Sequence, residues 1–251
     1  MIKFFRKIRH RFLSENKFRK YLLYAIGEIV LVVIGILIAL SINNWNGHRK
    51  QKAYEITILE EIKENLIKSK KEVRIAIEDD KRWQACIFKI LDFLDNRKDY
   101  NPSLDQCLGS YYWSSTVQFS SSAYEELKAK GVEIISNKKL RREITTMYDL
   151  KFDVIESEVE VWDSQLLSSA IYPLHTSLFR KYFPENWSVF EDEYAKPTNY
   201  QNLLDNDTFR NLLSELISLR NYSIVINESL EKDLESLIKE IENELITLKK
   251  Q

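Results

Sequence analysis

Glycine and proline are scarce, five and four in 251 residues. Sandwiches and barrels draw heavily on both residues for their turns, so this shortage argues against a chain of many short strands and favours long helices. Histidine is scarcer still. His10, His48 and His175 form no pair at the helical spacing of metal ligands, and there is no HExxH, CxxC or glycine-rich phosphate loop. Neither cysteine has a histidine near it in sequence, which leaves a thiol nucleophile unsupported. The chain is therefore not expected to be an enzyme, and no catalytic residue, cofactor or metal is assigned to it. Its many carboxylates read as solvated faces.

What the chain does have is charge and apolar length. Charged residues make up 30% and aromatics 12%, a composition that excludes wholesale disorder. The net charge of −1 conceals an asymmetry. Residues 1–52 carry 11 Lys and Arg against Glu15 and Glu28, a net +9, and the remainder carries −10. The basic end abuts an apolar run, so its expected partner is membrane lipid rather than nucleic acid.

That run is Tyr21–Ile42, YLLYAIGEIVLVVIGILIALSI. As a helix it spans about 33 Å, close to the hydrocarbon thickness of a bilayer. It is apolar all round rather than on one face, which sets it apart from an amphipathic core helix. It is longer than the apolar core of a signal peptide, and no cleavage site follows it. Tyr21 and Tyr24 at one end and Trp45 past the other suit the two interfaces. Lys3, Arg6, Lys7, Arg9, Arg11, Lys17, Arg19 and Lys20 precede the run, whereas Arg49, Lys50 and Lys52 follow it. The positive-inside rule then predicts a cytoplasmic segment over 1–20, a transmembrane helix over 21–42 and an outer domain over 43–251.

Glu28 is the one charge in the run and falls in its cytoplasmic half, where an ionisable group is a functional candidate. Gly35 and Ala39 share its face at helical spacing, and the small-xxx-small pattern admits a close helix neighbour. Two readings follow. Glu28 reaches the interface while the Gly35/Ala39 face packs on a partner helix, or Glu28 carries protons in an energy-coupling complex.

Beyond Ala53 the apolar residues adopt helical spacing. Leu59, Ile62, Leu66, Val73, Ala76, Trp83, Ile87, Ile90 and Leu94 form a heptad row interrupted by Ser69 and Asp80, which predicts a coiled-coil-like stalk. Asn96–Pro102 reads as a loop. Ser103 and Ser122 read as starts of further helices and Gly131 as a helix stop, with GSYYWSSTVQFS over 109–120 the least helical stretch. A third long helix is expected from near Lys138, with Leu140, Ile144, Tyr148, Ile155, Val159, Trp162, Leu166 and Ala170 buried and Pro173 and Pro184 kinking or ending it. Residues 184–204 read as a long surface connection with short helices. Asp205 or Asp207 is expected to cap a last helix whose row, Leu212, Leu216, Leu219, Ile226, Leu230, Leu234, Leu237, Ile241, Leu245 and Leu248, has a period of about 3.6, that of a globular bundle rather than a supercoil. The expected fold is all-α: an N-terminal transmembrane helix, then an antiparallel bundle of about four long helices.

Two blocks carry a family resemblance. MIKFFRKIR…LSENKFRKYLLYAIGEIVLVVIGILIALSINNWN and SSAYEELKAKGVEIISNKKLRREITTMYD resemble the hallmark stretches of an uncharacterised single-pass membrane protein family of flavobacteria and their relatives, domain of unknown function 6090. The resemblance implies an inner-membrane anchor and a periplasmic helical domain. It implies no activity, ligand or catalytic residue.

Cys86 and Cys107 both fall in the outer domain, an oxidising compartment if it is periplasmic. Helical rise sets them at different levels, so two small buried thiols and a disulfide both stay open. The leading expectation for function is a membrane-anchored interaction or scaffold protein that binds a protein partner or its own copy through the transmembrane helix and stalk. A periplasmic sensory or ligand-binding module and an energy-coupling subunit using Glu28 are the alternatives.

Overall fold

A computed structural model describes residues 18–185, 187–188 and 193–250. The basic residues Lys3 to Lys17 lie outside the described residues, as do the side chains of Arg19, Lys20, Tyr21, Tyr24, Val159 and Trp162. Most of the described residues are helical, and the chain divides into two compact units at Tyr54 and Glu55. One helix, α1 (Phe18–Asp95), crosses that division.

In the first unit α1 is apolar and open. Leu22, Ile29, Leu31, Ile36 and Leu40 are 49–74% exposed. The helix is long and apolar enough to cross a membrane.

The second unit is organised on two antiparallel helices, residues 55–95 of α1 and α6 (Asp207–Lys250). The expected row of α1 is buried throughout, Ser69 and Asp80 included. The row of α6 departs from expectation. Leu213, Leu216, Arg220, Ser223, Asn227, Leu230, Leu234, Leu237, Ile241, Leu245 and Leu248 are buried, while Leu219 and Ile226 are only partly covered. Both rows advance about 3.5 residues per step, the supercoil period, so the expected 3.6 for the last helix is corrected. The displacement occurs where Arg220 and Asn227 turn inward to polar partners.

Rim charges mark the alignment. Lys63, Lys70, Arg74 and Lys81 of α1 pair in order with Glu242, Glu235, Glu231 and Glu228 of α6. Such exposed pairs are screened by solvent and add little stability, so they select the alignment while the buried rows stabilise it.

The remaining segments are less regular than four long helices. Asn101 accepts from the Ser103 amide to open a 3₁₀ turn, Pro102–Leu104, which leads into α2 (Asp105–Ser110). α3 (Ser122–Lys130) ends at Gly131, whose φ of 106° suits glycine. Asn137 caps the helical run α4, residues 138–178. Three π-helical turns interrupt α4, at Met147–Lys151, Ile155–Val159 and Leu167–Ile171. Pro173 does not end the run. It sits in the first turn of the closing segment Tyr172–Leu178, directly after a widened turn that accommodates its missing N–H and bulky ring.

The connection expected over 184–204 forms a hairpin partner. β1 (Phe179–Tyr182) pairs antiparallel with β2 (Tyr194–Pro197), Phe179 opposite Pro197 and Tyr182 opposite Tyr194. The short α5 (Tyr200–Leu204) follows. Asn206, rather than Asp205 or Asp207, accepts from the Phe209 amide at the start of α6.

Candidate functional site

The polar interruptions of α1 tie down the least regular part of the chain. Asp80 Oδ1 accepts from the Ser115 amide at 3.3 Å, and Ser69 Oγ from the Ser120 amide at 3.1 Å. Asn65 Nδ2 donates to Ser122 Oγ, and Glu55 Oε1 accepts from both the amide and hydroxyl of Ser136. A segment without a ladder needs partners for its buried amides, and these side chains supply them. The reading of carboxylates as solvated faces is thus corrected for Glu55, Asp80 and Asp105, all at most 3% exposed.

The deepest of these ties is ionic. Asp80 and Arg220 are each 1% exposed, with Oδ1 to Nε 3.8 Å. Arg220 donates to the carbonyls of Trp113 and Tyr112, and Ser223 Oγ donates to Asp80 Oδ2 at 2.6 Å. Burial raises the Asp80 carboxyl, against the opposing pull of Arg220 and the Ser223 and Ser115 bonds.

Anchored in this way, the connection and α3 face α4 across a cleft of about 290 Å³. Phe119, Ser121, Tyr124 and Glu125 line one wall, and Tyr148, Asp149, Phe152, Asp153 and Glu156 the other. Its floor is aromatic. Phe119 stacks on Phe152 at 3.9 Å and Tyr124 on Tyr148 at 4.4 Å, with Tyr148 edge-on to Phe152. Tyr124 donates to Asp149 Oδ2 at 2.6 Å, and Lys128 Nζ lies 3.3 Å from Asp149 Oδ1. Burial raises the pKa of both tyrosines, and the bond to Asp149 raises that of Tyr124 further. The π-helical turn Met147–Lys151 carries Tyr148 and Asp149; such widened turns recur at functional sites. Both ends of the AYEELK…MYD stretch thus meet at one place, which linear spacing did not reveal.

A second aromatic group surrounds His175, 2% exposed. Tyr112, Phe179 and Tyr111 rings lie 4.9, 5.2 and 5.8 Å from its own. Neither ring nitrogen has a hydrogen-bond partner among the described residues. Burial, then the nearby Lys181 charge, pushes His175 down to about 4. A depressed histidine stabilises the fold fully above its ordinary value of 6.5 and loses that contribution as pH falls toward 4. We expect a stability loss of a few kcal/mol across that window, and His175→Phe should flatten it in denaturation curves recorded at successive pH values.

The residues singled out from sequence lie apart from both groups. Glu28 is half-buried on α1 and shares an open face with Ala25, Ile29, Val32 and Val33. Gly35 and Ala39 are exposed, and a Cβ at Gly35 would meet nothing within 4 Å. Cys86 and Cys107 are joined in a disulfide, Cα to Cα 5.0 Å; α2 folds back along α1, which cancels the offset that helical rise implied. Among the described residues no three His, Cys, Asp or Glu side chains are grouped to hold a metal.

The sequence model described as a family of unknown function (DUF6090) matches residues 28–183. That range takes in Glu28, the disulfide, the cleft and His175. No curated protein and no solved structure matches the chain.

Proposed function

From the premise that this chain belongs to the DUF6090 family, we propose that it is a single-pass membrane-anchored interaction protein whose helical domain lies on the outer side of a bacterial inner membrane. The observation that carries this reading is the apolar surface of α1, where every large hydrophobic side chain from Ile26 to Ile42 is exposed. In water such a surface drives association, whereas a bilayer covers it without a protein partner. The excess of Lys and Arg before the helix supports a cytoplasmic N-terminus. The Cys86–Cys107 disulfide supports an oxidising compartment for the domain. The open Gly35/Ala39 face supports contact with a second transmembrane helix, another copy or a different protein.

Two measurements test this reading. Alkaline phosphatase fused after Gln251 should be active in intact cells, and Cys86 and Cys107 should resist alkylation until a reductant is added. An inactive fusion together with freely alkylated thiols would overturn the orientation. Crosslinking in the membrane should capture a defined partner, and Gly35→Leu should weaken that capture. Uncrosslinked monomer at every density would sink the interaction role. A Glu28→Gln change that leaves capture and growth untouched would remove the energy-coupling alternative.

A further inference from the structure

We propose that His175 is an acid-operated latch: on taking a proton it leaves its cage of aromatic rings and frees the β1–β2 hairpin and α2, while the α1–α6 pair stays folded. With the domain outside the membrane, as proposed above, the latch follows the acidity of the surroundings. The release itself does not depend on that placement.

The position is an unusual one for a histidine. His175 lies in the closing turn of α4, and its carbonyl accepts from the amide of Phe179, the first residue of β1. Tyr111, Tyr112 and Phe179 surround its ring, and Phe209 of α6 packs on Tyr111 and Phe179. Both ring nitrogens are enclosed and have no hydrogen-bond partner among the described residues. A phenylalanine suits such a cage without that penalty, so two unmet nitrogens call for an explanation.

The cage tolerates the neutral ring and not the charged one, which needs acceptors for two N–H groups and a counter-charge. The groups that face it supply neither. Tyr111 and Tyr112, directly after α2, bring hydroxyls whose protons burial retains. β1 brings Lys181, a like charge. Glu193, before β2, favours the charged ring, but Lys181 and Tyr112 already engage its carboxylate. α4 and α6 add the rings of Tyr172 and Phe209. Burial and Lys181 accordingly hold His175 down at about 4. The closed form binds fewer protons than the released one, so it is fully favoured above 6.5 and loses ground as pH falls toward 4. The part that yields is the hairpin, whose strands of four residues each are too short to persist alone. It is tied to the α2 segment beside the cage, through Tyr182 to Asp105 and Glu193 to Tyr112. The long buried rows of α1 and α6 hold no histidine.

The test is amide hydrogen exchange on the full chain in lipid nanodiscs, corrected for the intrinsic effect of pH on exchange. Between pH 7 and pH 4, protection over residues 105–112, 179–182 and 194–197 should fall about a hundredfold, the scale set by a histidine moved from 6.5 to about 4. Residues 58–77 and 230–248 should keep their protection. His175→Phe should keep the hairpin protected at pH 4. A second measurement does not need that variant to fold. In a histidine-labelled chain carrying His10→Gln and His48→Gln, His175 is the single reporter, and its nuclear magnetic resonance signal should show the proton arriving at the pH where the hairpin loses protection. Acid release that persists in His175→Phe, a protonated His175 with the hairpin still protected, release without protonation of His175, or equal loss along α1 and α6 would each overturn the proposal.

Discussion

Arg220→Ala is expected to lower the stability of the helical domain by about 3–5 kcal/mol, a fall of roughly 10 °C in midpoint for a domain of this size. The reason lies less in the lost attraction than in what is left behind. Asp80 stays 1% exposed with its counter-charge gone, and the Trp113 and Tyr112 carbonyls lose their donor. The sign of the pH dependence distinguishes this from a simple cavity. A carboxyl whose folded pKa is raised holds its proton more tightly when folded. Stability then falls as pH rises from 3.8 through the raised value, and is level above it. Removing Arg220 takes away a lowering influence, so the window extends upward and acidification restores part of the loss. Urea denaturation at neutral and mildly acidic pH measures this directly. Asp80→Asn in the Arg220→Ala background should recover stability at neutral pH and abolish the difference; an unchanged loss would point to packing instead.

Gly109→Ala is expected to cost about 3 kcal/mol, the upper end for overpacking a tight interior, although alanine is the better helix former by about 1 kcal/mol. Gly109 is buried in α2 where that helix crosses the second strand. A Cβ there would stand 2.0 Å from the Glu193 carbonyl oxygen and 2.7 Å from the Tyr194 amide nitrogen. Backbone cannot swing aside as a side chain does, so α2 or β2 must move. β2 holds Ala195, fully buried, and pairs with β1 next to the His175 rings. The lower melting midpoint should therefore come with a changed near-ultraviolet signal from Tyr111, Tyr112 and Tyr182. A variant as stable as the parent would show that the helix and strand do not meet so closely in solution.

The two helical rows illustrate how much of the fold is local. In α1, from Leu59 to Leu94, the apolar spacing was legible to the residue, because a heptad row buried against one partner leaves its period in the sequence. In α6 the same reasoning slipped by one position at Arg220 and Asn227. An apolarity search follows Leu219 and Ile226, and nothing local announces that an arginine will face inward to meet Asp80 and two carbonyls. The β1–β2 hairpin was missed for a related reason. Phe179–Tyr182 and Tyr194–Pro197 are four residues each and acquire their meaning from each other and from Gly109. In the candidate cleft, Tyr124 and Asp149 were visible as letters of a family hallmark. Their meeting depended on Glu55, Asn65 and Ser69 pinning the segment before and after α3.

The sequence alone determined that the chain is helical, carries an apolar helix long enough to cross a membrane, and belongs with its family. Those properties follow from composition, uninterrupted apolar length and contiguous motifs, which act over a few turns of one chain segment. Tertiary structure decided which polar groups go inside, that Cys86 reaches Cys107, and that two stretches of aromatic and acidic residues close on one cleft. Burying a charge or stacking two rings is favourable only when its partner arrives from elsewhere in the chain, and no local period records that arrival.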